Sequence, residues 1–414
     1  MTSPHQILLY AELLSNIRQI SVGCTLPTPS SSSTRAVVSP DCIEFTVSHD
    51  GVERSIRLPG RVALPSQLPI QKIGATTISW RLPLASTSDR SHSVSASEET
   101  VPWSAGDLAP ESAISCRACK AFIVEAGALK TWKDLPSENW AEMMEFWHCH
   151  KPHDHKQKDG EHLVSRGYGA SSRISAQSGV GFIDLTSFLL SPYDILESVV
   201  TPSLTSDAKG DNQTTQHASP DGSRTHNLAI FCSSCKNQLG IWNDQISSVS
   251  LFKWQVNVDR QHDQGSAGPP SLSHCTSAML LATMARSGCS KSIIMSIKSQ
   301  NEPPSNGSTP EELSLIRPLL NIWVFNANIT FSSTEEPRSP INAVKVLYRM
   351  VSQDEADKML DSMTSDVQDI YLPAEAIKTV INLLDRSNTC VPLGDRKFRD
   401  WTVGLLEKWD AKCK

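Results

Sequence analysis

Apolar and polar positions alternate in short steps through the first part of the chain. In the stretch CIEFTVSHDGVERSIR, Ile43, Phe45 and Val47 recur at every second position and Asp50-Gly51 supplies a turn, the pattern of a β-hairpin. Residues 21–26 and 75–84 alternate in the same way, so residues 1–85 are predicted to form an antiparallel β-rich part, a sheet or sandwich, interrupted by the polar PTPSSSSTR.

The pattern then changes. Residues 86–110 are polar and lack periodic apolar positions, and are read as a linker. In DLPSENWAEMMEFWHCH, Trp140, Met143, Met144 and Trp147 fall on one face of a helix, with Ser137 as its cap and Glu138, Glu142 and Glu145 on the other side or in the first turn. Polar insertions follow near 151–178 and 202–226. The remainder mixes periods: TSAMLLATMARS reads as helix, NIWVFNANITF and AVKVLY as strands, AEAIKTVINLLDRS as an amphipathic helix with Leu383 and Leu384 inward, and FRDWTVGLLEKW as a returning strand. The fold class expected is α+β: a β-rich amino-terminal part, a zinc-knuckle unit at 111–257 and a mixed α/β carboxyl-terminal part at 271–414.

Composition narrows the functional classes. A chain of 414 residues has room for two or three domains, and 25 prolines with only 39% hydrophobic residues fit folded pieces joined by polar connections. A formal charge of -6 offers no general attraction for nucleic acid, so no direct nucleic-acid binding is expected. No apolar run reaches the roughly 18–20 residues of a membrane span, and the amino terminus has no signal-peptide pattern. A cytoplasmic or nuclear protein is expected, with its 11 cysteines serving as thiols and metal ligands rather than disulfides. No glycine-rich phosphate loop follows a strand and no Ser/His/Asp order stands out, which sets aside nucleotide-binding and serine-hydrolase classes.

Two Cys-x-x-Cys turns, Cys116/Cys119 and Cys232/Cys235, each followed by a lysine, carry the candidate chemistry. Each pair can grip one side of a tetrahedral Zn²⁺, and together they make a four-cysteine site at two hairpin tips, with Lys120 and Lys236 offsetting thiolate charge. Cys149 and His150 offer an alternative in which they complete a Cys₃His site with the first pair. His148, His153 and His155 are read as part of a solvated loop. Cys24, Cys42, Cys275, Cys289 and Cys413 are read as small, partly buried or terminal residues.

The order of motifs resembles a known family. A Cys-x-x-Cys knuckle precedes LPSENW, then Trp147 and Cys149-His150; CSSCKNQLG at 232–240, AVKVLY at 343–348 and VPLGDRKFRDWTVGLLEKW at the end follow. Together these are similar to the HECT-like proteins that bind ubiquitin-conjugating enzymes. The resemblance implies an atypical ubiquitin-protein ligase with a ubiquitin-conjugating enzyme and ubiquitin as partners, linked in animals to cyclin B and in fungi to pre-mRNA 3′-end processing. A HECT-type transfer needs a free thiolate that accepts ubiquitin and passes it on. Cys390, in SNTCVPLGD, resembles such a site by position, and Cys149 between two histidines is the runner-up. If neither carries ubiquitin, a RING-type adaptor remains, and beyond it a non-enzymatic zinc-stabilised scaffold.

Overall fold

The computed structural model describes residues 6–63, 67–70, 73–85, 101–135, 175–196, 199–200, 227–259, 268–297, 317–336, 339–362 and 366–410. Among them the chain is strand-rich with three α-helices, the α+β class expected. It divides into two compact units, one from Met1–Thr100, Thr276–Ser296 and Ser308–Asp410, the other chiefly from Val101–Cys275.

The first unit opens with β1 (Leu8–Leu14), β2 (Gln19–Thr25), β3 (Arg35–Val38), β4 (Glu44–His49), β5 (Val52–Arg57), β6 (Gln67–Leu68) and β7 (Thr77–Pro83). The predicted hairpin is β4–β5, with Asp50 and Gly51 at φ 50° and 77° in its turn. These positive angles are what an Asp-Gly hairpin turn requires. β5, β4, β3 and β6 form a four-stranded sheet in that order. Its Ala36, Val38, Phe45, Val47 and Ile56 share a buried cluster with Leu9, Ile20, Val22, Ile78 and Trp80 from β1, β2 and β7. The rings of Phe45 and Trp80 lie 5.1 Å apart at its centre. The alternation in the sequence is thus spent on a sandwich, each large buried side chain contributing roughly 1.5–3 kcal/mol.

The second unit holds β8 (Ile114–Cys116), β9 (Phe122–Val124), β10 (Thr131–Asp134), β11 (Val180–Ile183), β12 (Ser187–Leu190), β13 (Val199–Val200), β14 (Asn227–Cys232), β15 (Gln238–Asn243), β16 (Ser248–Phe252) and β17 (Val256–Val258). They build a seven-stranded sheet, β10-β11-β12-β16-β15-β14-β13, and a three-stranded sheet, β17-β8-β9. Residues 101–110, the end of the segment read as a linker, are built into this unit. Trp103 is 2% exposed and stacks on Phe188 with centroids 6.0 Å apart. Ser104 and Asp107 form a capping box around the next turn. The ammonium of the fully buried Lys253 donates to the carbonyl of Pro102 at 2.5 Å. One large aromatic and one buried cation order a stretch whose polar composition hid them.

The chain continues through α1 (Leu272–Ser287), β18 (Lys291–Ser296), β19 (Leu320–Ser333), β20 (Ile341–Met350), α2 (Gln353–Leu360), β21 (Val367–Leu372), α3 (Ala374–Asn388), β22 (Lys397–Phe398) and β23 (Trp401–Glu407). The helices and strands predicted for the carboxyl-terminal third fall here. In α3 the buried stripe is Ile377, Val380 and Leu384, so Leu383, expected inward, sits at its edge and is only partly buried. The nine-stranded sheet of the first unit runs β22-β23-β20-β19-β1-β2-β7, with β18 between β19 and a parallel β21. Strands from segments 1–85 and 271–414, read separately along the chain, therefore share one sheet, with Tyr10 opposite Ser333 and Leu13 opposite Thr330. The helix predicted around Trp140–Trp147, together with Cys149, His150 and the insertion at 202–226, lies outside the described residues. No helix among the described residues is long and apolar enough to cross a membrane.

Gly23 on β2 shows how closely the carboxyl-terminal loop approaches the first strands. A Cβ there would lie 2.6 Å from Cγ of Pro392. Gly23→Ala is expected to destabilise the first unit by about 1–3 kcal/mol through this overlap, read as a lowered denaturant midpoint.

Candidate metal centre

Each Cys-x-x-Cys turn closes a hairpin, the first between β8 and β9, the second between β14 and β15. The two turns repeat one another bond for bond. The N–H of Cys116 donates to Ala121 O at 2.8 Å and that of Lys120 to Cys116 O at 2.9 Å; the N–H of Cys232 donates to Asn237 O at 2.9 Å and that of Lys236 to Cys232 O at 2.8 Å. Lys120 and Lys236 both take the left-handed conformation, φ 65° and 61°, which lets the chain double back after the second cysteine. The backbone N–H groups of Ala118 and Cys119 point at the Cys116 sulfur, and those of Ser234 and Cys235 at the Cys232 sulfur. Such donors stabilise thiolate, the form a metal takes.

The turns meet face to face. Cys116 Sγ lies 3.7 Å from Cys235 Sγ, Cys119 Sγ lies 3.6 Å from Cys232 Sγ, and all four sulfurs are within 4.8 Å of one another. Metal–sulfur bonds of about 2.3 Å at tetrahedral angles separate sulfurs by about 3.8 Å. The four cysteines therefore have the spacing of a tetrahedral thiolate cage and could hold a metal ion. Cys116 and Cys232 are buried, whereas Cys119 and Cys235 are exposed. Burial pushes the Cys116 thiol up to about 12; at Cys232 burial acts in the same sense but is outweighed by the N–H donors of Cys235 and Ser234, and its thiol falls to about 7. A central cation would release the remaining protons, because a coordinating thiol is deprotonated outright.

Two polar residues that no spacing rule selects tie the knuckles together. The carbonyl oxygen of Gln255 accepts from Arg117 N–H at 2.9 Å, and its side-chain Oε1 accepts from Asn237 Nδ2 at 2.7 Å. The Leu239-Gly240 that trails the second knuckle has a steric reason: a Cβ on Gly240 would sit 2.0 Å from Ser250 O of the neighbouring strand.

Cys390, the expected nucleophile, lies in the first unit directly after α3. It is 2% exposed, its N–H donates to Ser387 O at 3.1 Å and its carbonyl accepts from Ser333 Oγ at 3.3 Å. Burial pushes its thiol up to about 11, against opposing help from Ser333. At neutral pH such a thiol is ionised on the order of once in ten thousand. Arg396 holds the same loop through the carbonyls of Val391 and Thr389, at 2.8 Å each. Cys24, Cys42 and Cys275 are buried, and Cys289 is partly so. Cys149, His148, His150, His153, His155 and Cys413 lie outside the described residues.

Comparison with known proteins gives the family. The model of the family described as HECT-like Ubiquitin-conjugating enzyme (E2)-binding matches residues 12–403, nearly the whole chain. The protein belongs to this family, which relates it to ubiquitin conjugation. An uncharacterized protein of Schizosaccharomyces pombe is 27% identical over 75% of this chain and 79% of its own length. An uncharacterized protein of Saccharomyces cerevisiae is 21% identical over 73% of this chain and 71% of its own. No solved structure gives a significant match.

Gly240→Ala is expected to destabilise the second unit by roughly 3 kcal/mol or more, since the clash is with backbone that cannot rotate away. Chemical denaturation of the purified variant checks it.

Proposed function

We propose that the protein is an atypical ubiquitin-protein ligase that binds a ubiquitin-conjugating enzyme and promotes transfer of ubiquitin to lysines of protein substrates. The single observation that carries this reading is the family match over residues 12–403. We further assign the four-cysteine site to Zn²⁺, as a structural ion. A tetrahedral set of four thiolates with no open position is the donor set of structural zinc, which fixes fold rather than activating water. Cys116, Cys119, Cys232 and Cys235 would be its ligands.

The placement of Cys390 supports one route of transfer over another. A covalent relay at Cys390 needs an exposed, ionised sulfur, and this residue is 2% exposed, with burial holding its proton and its loop tied down through backbone bonds to Ser333, Ser387 and Arg396. In the adaptor route the substrate amine attacks the conjugating enzyme's own thioester, the enzyme's thiolate leaves, and the ligase contributes orientation alone. The burial of Cys390 favours the adaptor route.

Purified protein with activating enzyme, conjugating enzyme, ubiquitin and ATP is expected to form ubiquitin conjugates, and Cys390→Ser is expected to keep that rate within about twofold. A thiol-sensitive ubiquitin adduct on non-reducing gels that vanishes in Cys390→Ser would restore the covalent route. Elemental analysis is expected to find about one zinc per chain, with Cys116→Ser or Cys232→Ser losing it. Retention of one zinc by a Cys116→Ser, Cys232→Ser double variant would move the metal elsewhere.

A further inference from the structure

The two knuckles share their backbone bonds but differ in the residue that follows the lysine. Ala121 follows the lysine of the first, and Asn237 follows the lysine of the second. Both use their backbone carbonyl in the same way, accepting the N–H of the first cysteine of the pair. At this position only the second has a polar side chain to make another bond, and it donates from Nδ2 to Gln255 Oε1 at 2.7 Å. Gln255 ends the short turn Lys253–Gln255 between β16 of the seven-stranded sheet and β17 of the three-stranded sheet. Its main chain is already committed to the first knuckle, where its carbonyl accepts from Arg117 N–H at 2.9 Å. One residue thus touches both halves of the sulfur cage, backbone to one and side chain to the other.

We propose that Gln255 is the positioning residue of the four-cysteine site, holding the second knuckle in register with the first through Asn237. The inference rests on the metal reading of that site. Its physical content is geometric. Each hairpin brings only two sulfurs, so a four-sulfur cage exists only at one separation and rotation of the turns. The Gln255–Asn237 bond is partly buried and fixes that separation without touching a sulfur. The turn bearing Gln255 is itself anchored: Lys253 donates to the Pro102 carbonyl, Trp254 stacks on Phe252 with centroids 4.6 Å apart, and Arg117 Nη1 of the first knuckle donates to Trp254 O at 3.4 Å. A rigid reference point, and not a flexible loop, therefore carries the amide. Partners of this kind tune metal affinity without ligating, and losing one weakens binding about 10–100-fold.

The test is a cobalt titration of the full chain after metal removal under reducing conditions, following the thiolate-to-cobalt charge-transfer and tetrahedral d–d bands. Gln255→Leu keeps the backbone bond to Arg117 and deletes only the link to Asn237. It is expected to bind Co²⁺ about 10–100-fold more weakly while its metal-free melting stays close to that of the parent. Asn237→Ala, which gives the second knuckle the residue found in the first, is expected to show the same loss, and the double variant no more than either single one. Parent-like affinity in both single variants, or additive losses in the double, overturns the role of Gln255 and leaves the metal site standing. If Gln255→Leu fails to fold, Asn237→Ala alone decides the matter. A parent chain that develops no thiolate–cobalt band overturns the metal reading, and the positioning role with it.

Discussion

The antiparallel pairing of β1 with β19 is the constraint on which the rest of the chain depends. It joins residues 325 apart, as in the bond from Leu9 N–H to Thr334 Oγ1 at 3.0 Å. Closing so long a loop costs entropy, although the cost grows only logarithmically with length. Burial on both faces of the shared sheet offsets it. One face contributes Leu9 and Ala11 to the sandwich core, and the other contributes Tyr10 to a cluster with Phe331, Leu347, Val391 and Leu405. Because this pairing encloses everything between, the second unit is an excursion from a single β-framework, and the amino-terminal strands belong to the carboxyl-terminal sheet.

Within that excursion the four cysteines impose a second long-range constraint. The two sulfur pairs span 119 and 113 residues, and they bring the tip of a hairpin in the three-stranded sheet to the tip of one in the seven-stranded sheet. Neither tip has much apolar surface to hold it: Arg117, Lys120, Ser233, Ser234 and Lys236 are polar, and two of the sulfurs are exposed. Hydrophobic burial is thus a poor candidate for holding the junction together. A metal suits it because coordination free energy is large and directional. The N–H groups aimed at Cys116 and Cys232 supply part of the electrostatic stabilisation that gathered thiolates need.

The sequence made some of this legible and concealed the rest for identifiable reasons. The Asp50-Gly51 hairpin, the alternation of β2 and β7 and the Cys-x-x-Cys turns are local signals, each contained within a few residues, and each reads directly as structure. The β1–β19 pairing is not local. An alternating strand states which face is apolar and not which strand lies beside it. Leu383 lies at the edge because the buried stripe passes through Ile377, Val380 and Leu384, and adjacent leucines look identical in composition. Trp103 is hidden in the sequence because its many polar neighbours outweigh one aromatic in any average, whereas in the fold one buried indole suffices as an anchor. Gln255 gave no signal at all, since its use depends on a carbonyl and an amide whose partners come from different hairpins.

The distribution of thiols then bears on mechanism. A covalent ubiquitin relay needs a sulfur that is exposed, ionisable and unencumbered, and neither the cage cysteines nor Cys390 combine these properties. Cys119 and Cys235 are exposed, but they belong to the four-sulfur cage. Cys390 stands apart from that cage, yet it is sealed and its proton is held by burial. The short Thr389-Cys390 likeness to a transfer site comes from a loop whose bonds are turned inward: Asn388 Nδ2 donates to Arg396 O and Val403 O, and Arg396 returns two bonds to the loop carbonyls. Such a network suits a loop that completes a core beneath Gly23 better than one that opens at each catalytic cycle. The proposed transfer by orientation alone makes no demand on these residues, because in that route the conjugating enzyme itself carries the activated thioester.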